Sequence, residues 1–247
     1  MRNKMTKKFA LVLGASGEIG SAICRNLAEA GWSLYLHYAN NNERIEKLLT
    51  ELNESYSEQE FMVVHADMSK ADCIEKIVDS IFALNAIVFA QGHSLYKGLE
   101  DTTIDEIRLL FQVHVEHPMA LLGKLNSKLR QQTSSSVVFV GSIWGDTGAS
   151  YEVAYSAAKG AQHALVKAYA KEVALQRTRV NAVSPGFIDT KMNTHIEEEA
   201  RQLILEEIPA GILGSPQDIA NAVAFLTSEK ASYITGQVIR VNGGWYI

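Results

Sequence analysis

Phe9-Ala10-Leu11-Val12-Leu13-Gly14-Ala15-Ser16-Gly17-Glu18-Ile19-Gly20 is an apolar run followed by three spaced glycines and then an amphipathic stretch, Ile19 to Ala30. Glycine permits a tight turn and close backbone approach, so that amide N–H groups and a helix N-terminus can face a pyrophosphate. Three glycines alone make only a turn. Placed between a strand and a helix, at the head of an alternating chain, they have the context that a dinucleotide-binding turn requires.

The alternation continues outward from that stretch. Apolar runs of strand length recur at Phe9 to Leu13, Ser33 to Tyr38, Phe61 to Ala66, Ala86 to Ala90, Val137 to Val140, Arg179 to Val183 and Gln237 to Val241. Several do not alternate with polar residues, as expected of strands covered by helices on both faces. Amphipathic stretches lie between them: Ile19 to Ala30, Glu43 to Glu54, Cys73 to Phe82, Ile104 to Leu129, Val153 to Ala174 and Pro216 to Leu226. The pattern predicts a single α/β domain over residues 1–247. It is a doubly wound, Rossmann-type fold of about seven parallel strands with helices on both faces. Residues 191–214 are longer than a simple connection and carry Glu197, Glu198, Glu199, Glu206 and Glu207 around Ile196, Leu203, Ile204 and Ile208. They read as a short amphipathic helical insertion, either a substrate lid or a solvated acidic helix.

Composition narrows the function. The 247 residues are 47% hydrophobic and 21% charged, and 23 Lys plus Arg against 28 Asp plus Glu leave a net charge of −5. That balance disfavours nucleic acid as a partner. No apolar run approaches the ~18 residues of a membrane span. Arg2, Lys4, Lys7 and Lys8 before Phe9 imitate a secretory signal, but the apolar run that follows is shorter than the ~7 to 15 residues of such a signal's core. Cys24 and Cys73 fall in helical stretches far apart, which suggests neither a disulfide framework nor a metal knuckle. A reducing cytoplasm is the expected location, and no metal site is expected.

At the end of the second strand, His37-Tyr38-Ala39-Asn40 offers no carboxylate to accept hydrogen bonds from an adenosine ribose. This favours NADPH over NADH, with His37, Asn40 to Asn42 and Arg44 as candidate phosphate contacts. Asp67, before Met68-Ser69, either meets the adenine amino group or caps the next helix. The catalytic candidates are Ser142 and, thirteen residues on, Tyr155, with Lys159 at i+4 on the same helical face. A free tyrosine titrates near ~10, and an adjacent ammonium is expected to favour the phenolate and lower that value. Ser142 would hydrogen-bond the same substrate oxygen.

These residues resemble the short-chain dehydrogenase/reductase family in its compact form of about 250 residues, a likeness that runs nearly end to end. It rests on Gly14 to Gly20, Asp67, Gly92, Ser142, Tyr155 to Lys159, the stretch Val180 to Gly186, Thr190, Ala231 to Gln237 and Asn242-Gly243-Gly244. The resemblance implies Tyr155 as general acid, Lys159 as the group that lowers its pKa and holds the ribose, and Ser142 as the group that polarises the carbonyl. It also implies Gly14, Ser16, Gly17, Ile19, Gly20, His37, Tyr38, Asp67, Met68 and Gly92 along the cofactor, with Pro185, Gly186, Ile188 and Thr190 at its nicotinamide end. Departures from the family pattern are Leu13 for a threonine, Phe89-Ala90-Gln91-Gly92 for Asn-Asn-Ala-Gly, and His114 for a helix asparagine that relays protons. Leu13 and Phe89 on neighbouring strands would replace a polar pair by an apolar contact. His114 either relays protons itself or plays an altered or backbone role.

Within the family the C-terminal half resembles the 3-oxoacyl-carrier-protein reductases. Gly141 to Ser150, Ala158 to His163, His114 and Asn242 to Trp245 are similar to the elongation factor P 5-aminopentanone reductases. That resemblance implies a carbonyl substrate carried on a protein, elongation factor P or an acyl-carrier protein. Trp144 either walls the pocket around an alkyl chain or packs the core. Asp146 and Glu152 are candidates for attracting an amine. Lys124, Lys128, Arg130, Lys167, Lys171, Arg177 and Arg179 are candidates for a basic face. The long helices carry enough apolar residues for a subunit contact, and the resemblance implies a homotetramer or homodimer. A reading of another class is a catalytically idle member that binds NADPH as a sensor or scaffold; the intact Ser142, Tyr155 and Lys159 argue against it.

Overall fold

The apolar runs become one parallel sheet. Its strands are β1 (Lys8–Leu13), β2 (Trp32–Tyr38), β3 (Phe61–His65), β4 (Ala86–Phe89), β5 (Ser135–Val140), β6 (Thr178–Pro185) and β7 (Val238–Val241), in the spatial order β3-β2-β1-β4-β5-β6-β7. The computed structural model describes residues 7–190 and 197–247. Between the strands lie α1 (Glu18–Glu29), α2 (Asn42–Ser55), α3 (Cys73–Ser80), α4 (Ile104–Phe111), α5 (His117–Arg130), α6 (Trp144–Thr147), α7 (Val153–Val173), α8 (Glu198–Glu207) and α9 (Pro216–Thr227). Among the described residues no helix is long and apolar enough to cross a membrane.

Successive side chains of a strand point to opposite faces, and the core divides accordingly. Leu11, Leu13 and Tyr35 pack with Ile77, Leu121, Leu125 and Val166 on one face. Ala10, Val12, Leu34 and Leu36 pack with Ile23, Leu48 and Val223 on the other. Each fully buried aliphatic side chain contributes about 1.5–3 kcal/mol, so both helical layers are held by apolar area. Leu13 pairs in register with Phe89, and Phe89 stacks on Phe139 with ring centroids 4.4 Å apart. The apolar contact expected between β1 and β4 is therefore present.

Two expectations are corrected. Residues Ile104 to Leu129 do not form one helix: a π-helical turn, Gln112–Glu116, separates α4 from α5. Pro118 lacks the N–H that would bond the carbonyl four residues earlier, that of His114, and a freed carbonyl loosens the helical ladder there. Arg179 does not join a basic face. It is buried, and its guanidinium donates to the carbonyls of Leu226, Thr227 and Ser228 at the end of α9, where a cation meets the negative end of the helix. Of the 191–214 insertion, residues 198–207 are helical as expected, and 191–196 lie outside the described residues.

Candidate active site

The order β2-β1-β4 places the reversal of strand order between β1 and β4, and the C-terminal ends of the strands open on a crevice there. On the β1 side the glycines have steric reasons. Gly14 has φ +78°, and a Cβ there would come within 2.7 Å of the Gln91 backbone; one at Gly20 would lie 2.1 Å from the Gly14 carbonyl oxygen. The Gly17 N–H donates to that carbonyl at 2.9 Å. As N-cap of α1, Gly17 has no side chain to occupy the first-turn amides, so the turn fits an anionic phosphate.

His37 is buried beneath this turn. Its Nδ1 accepts the Gly14 N–H at 3.2 Å, and burial pushes the ring down to about 4. It is therefore neutral and props the turn, a correction to its expected role as a phosphate contact. Of the Asn40 to Asn42 run, Asn41 caps α2 and Asn42 accepts the Tyr38 hydroxyl at 2.7 Å. Arg44 lies 3.7 Å from Glu18. Asp67 accepts the Ser69 N–H at 2.8 Å; burial would raise its carboxyl, but hydrogen bonds from Ser69 and the nearby Lys70 hold it below its usual range. The Met68 side chain is in the core and its carbonyl accepts from His117 Nδ1 at 2.8 Å, so Met68 offers the crevice no side chain.

On the other side, a cavity of about 1010 Å³ is lined by the ends of β4, β5 and β6, by α7, by one face of α8 and by the chain's C-terminal residues. Ser142, Tyr155, Lys159, His114, Ile19, Gly92, Pro185, Gly186, Ile188 and Thr190 all line it. Gly14, Ser16, Gly17, Gly20, Tyr38 and Asp67 lie outside it, along the β1–β3 ends of the crevice. Lys159 Nζ sits 5.6 Å from the Tyr155 ring centroid and donates to the Val140 carbonyl at 2.9 Å. Burial lowers the Lys159 ammonium to about 7. Tyr155 differs from the expectation. Its hydroxyl is raised above the usual tyrosine value, first by burial and then by the charge of Glu152, against a hydrogen bond with Ser142 that pulls it down. The phenol thus holds its proton at neutral pH.

His114 occupies the π-helical turn, its ring edge-on to Tyr155 at 5.7 Å between centroids. Its Nε2 lies 3.0 Å from the His93 carbonyl, which can only accept, so Nε2 carries the hydrogen and Nδ1 is a bare acceptor. Burial first, and then the Lys159 charge, push its pKa well below the ordinary value. Among the described residues Nδ1 has no protein partner and is buried, as is Gln91 Oε1, another atom of a cavity-lining residue. A Cβ at Gly92 would lie 2.3 Å from the His114 ring.

The outer wall is aromatic and acidic. Trp144 reaches the cavity and meets Trp245 and Tyr246, with centroids 5.3 and 5.5 Å away. Glu152, Glu197 and Glu207 also line it, and Glu207 accepts the Trp245 indole N–H at 3.1 Å. Asp146 does not line it: its carboxylate is taken by His163, Arg240 and Ser184, which corrects its expected role in amine attraction. His93 and Tyr246 are wall residues that no motif marks, whereas Glu207 falls in the expected lid insertion. Gly243 and Gly244, both with positive φ, were the available signal that the C-terminus doubles back.

A protein-family model described as Enoyl-(Acyl carrier protein) reductase matches residues 14–246. The chain is 44% identical over 240 residues to YmfI, an uncharacterised oxidoreductase of Bacillus subtilis, covering 97% of this chain and 99% of that protein. It is 34% identical over 251 residues to the 3-oxoacyl-[acyl-carrier-protein] reductase FabG of Staphylococcus aureus, covering 99% and 100%. Among solved structures it superposes on YwfH, an NADPH-dependent reductase of bacilysin biosynthesis, with TM-score 0.91 and 25% identity over 97% of this chain and 98% of that one.

Proposed function

Because the chain belongs to the short-chain dehydrogenase/reductase family of oxidoreductases, we propose that it is an NADPH-dependent ketone reductase acting on the 5-aminopentanone-modified lysine of elongation factor P. The observation that carries the substrate is the cavity's outer wall. Three carboxylates, Glu152, Glu197 and Glu207, suit an ammonium group, and Trp144, Trp245 and Tyr246 suit the slender alkyl chain that bears it. The cofactor is supported by the glycine turn at the start of α1, whose N-cap Gly17 puts no side chain over the first-turn amides, and by the absence of a carboxylate from His37 to Asn40.

When bound, NADPH supplies a hydride to the carbonyl carbon. Gly14, Ser16, Gly17, Ile19 and Gly20 would hold the pyrophosphate, Asp67 and the Met68 backbone would meet the adenine end, and Gly92, Pro185, Gly186, Ile188 and Thr190 would flank the nicotinamide end. Tyr155, protonated at neutral pH, gives its proton to the carbonyl oxygen, which Ser142 also holds. Lys159, tied to Val140, sits against the phenol ring, and its protonated form offsets the negative charge that develops there. His114 offers Nδ1 as the acceptor for one hydrogen of a water whose other hydrogen returns to the Tyr155 phenolate, the water regaining its proton from solvent. Helix α8, whose Ala200, Ile204 and Glu207 face the cavity together with its N-cap Glu197, serves as the lid within the 191–214 insertion. Homo-oligomerisation through α5 and α7, and action in the cytoplasm, complete the proposal.

The 34% identity to FabG favours a second reading, 3-oxoacyl-carrier-protein reduction. Rates on aminopentanone-modified elongation factor P and on an acetoacetyl thioester divide the two. Faster turnover of the modified protein is expected; turnover of the thioester alone overturns the substrate assignment.

A further inference from the structure

Behind Ser142, away from the cavity, lies a polar cluster of one buried histidine, His163, and two partners that reach solvent, Asp146 and Arg240, which the reduction itself does not use. His163 stands one helical turn beyond Lys159 on α7 and is 3% exposed. Asp146 Oδ1 lies 3.2 Å from His163 Nδ1, and since a carboxylate only accepts, Nδ1 carries the hydrogen and the ring plane is fixed. Asp146 Oδ2 accepts from Arg240 Nε at 3.2 Å, which supplies the countercharge from β7.

The ring so fixed fills the space that two glycines leave open. A Cβ at Gly141 would lie 2.6 Å from His163 Nε2, and one at Gly145 2.8 Å from its Cε1. Gly141 and Gly145 flank Ser142, so the serine-bearing turn is moulded around the His163 ring. Lys159 anchors the same helix to the end of β5 through the Val140 carbonyl. Helix α7 thus holds both Tyr155 and the template for the Ser142 turn. An apolar side chain would fill this site without the cost of burying polar groups, but it would not fix the turn's orientation through a directed bond.

We propose that Asp146 and His163 are positioning residues for ketone reduction, which hold the Gly141–Gly145 turn so that the Ser142 hydroxyl faces the same substrate oxygen as the Tyr155 hydroxyl. This rests on the reductase reading above. Burial keeps His163 below its ordinary pKa against the pull of Asp146, so the cluster works with a neutral ring.

The test is a double-mutant cycle on NADPH-dependent reduction of acetoacetyl-coenzyme A. Asp146→Ala is expected to lower kcat by about tenfold, with KM and the NADPH dissociation constant within about twofold of the parent. In a Ser142→Ala background the same replacement is expected to cost less than about twofold, because residues acting through one group are not additive. Asp146→Asn, which still accepts the His163 N–H, is expected to restore most of kcat. Losses that multiply in the double variant, or an unchanged kcat in Asp146→Ala, overturn the proposal. Should Asp146→Ala not fold, His163→Gln in both backgrounds gives the same comparison. Inactivity of the unaltered protein on this ketone and on modified elongation factor P would instead overturn the reductase reading.

Discussion

The carbonyl of His114 accepts its hydrogen bond from the side chain of Gln162, at 2.6 Å, because Pro118 has no N–H to give it. A catalytic candidate on the π-helical turn is thus tied to the helix that carries Tyr155 and Lys159. Gln162→Leu removes this hydrogen bond from a buried site and is expected to cost about 1–3 kcal/mol, read in a denaturant titration. An unchanged midpoint would show that the bond contributes nothing.

Tyr155→Phe removes the proton donor and little volume. Turnover is expected to fall by about 10²–10⁴-fold, with NADPH affinity, measured by fluorescence titration, largely kept. Parental activity in this variant would remove Tyr155 from the mechanism.

Lys159 titrates at about 7 in the folded protein, against ~10.4 for a free lysine. Between those values the unfolded chain binds more protons, so this group's contribution to stability improves as pH rises. Its penalty is complete below about 7 and gone above ~10.4. Lys159→Met should therefore raise the thermal midpoint most near pH ~7 and least near pH ~10. A gain that grows with pH would contradict this.

Gly20→Ala would set a Cβ 2.1 Å from the Gly14 carbonyl oxygen. Backbone must move to relieve it, at a cost of about 1–3 kcal/mol, and the phosphate turn is what moves. The expected outcome is a lower thermal midpoint and NADPH binding weakened beyond what the stability loss explains. Calorimetric titration at a temperature where the variant is folded separates the two effects.

Arg44, which lies 3.7 Å from Glu18, remains the proposed contact for a 2′-phosphate among the expected candidates once His37 is buried and Asn41 caps α2. Arg44→Ala is expected to weaken NADPH about tenfold, the loss of one charge-assisted contact, and to leave NADH unaffected. Equal losses for both cofactors would place the phosphate elsewhere.

Much of the fold was legible in the chain because its signals are local. Unalternated apolar runs demand a sheet covered on both faces, and the glycines at 14 and 20 mark a turn where a Cβ would strike backbone. Tyr155 and Lys159 were legible as a pair because i and i+4 share a helical face. The break at Pro118 was also written there, but an amphipathic pattern from Ile104 to Leu129 concealed it.

Other assignments depended on what surrounds a residue, which sequence spacing does not contain. His37 has the type and position of a phosphate ligand, but packing turned it beneath the glycine turn and took its charge. Asp146 has the charge to attract an amine, but His163 and Arg240, 17 and 94 residues away, claimed it first. Tyr155 keeps its proton because burial and the charge of Glu152 outweigh its hydrogen bond with Ser142. Local geometry is encoded within a few residues, whereas burial and charge pairing are set by elements that meet only when the sheet closes, so the chain alone determined the scaffold and the tertiary structure decided which polar groups face the cleft.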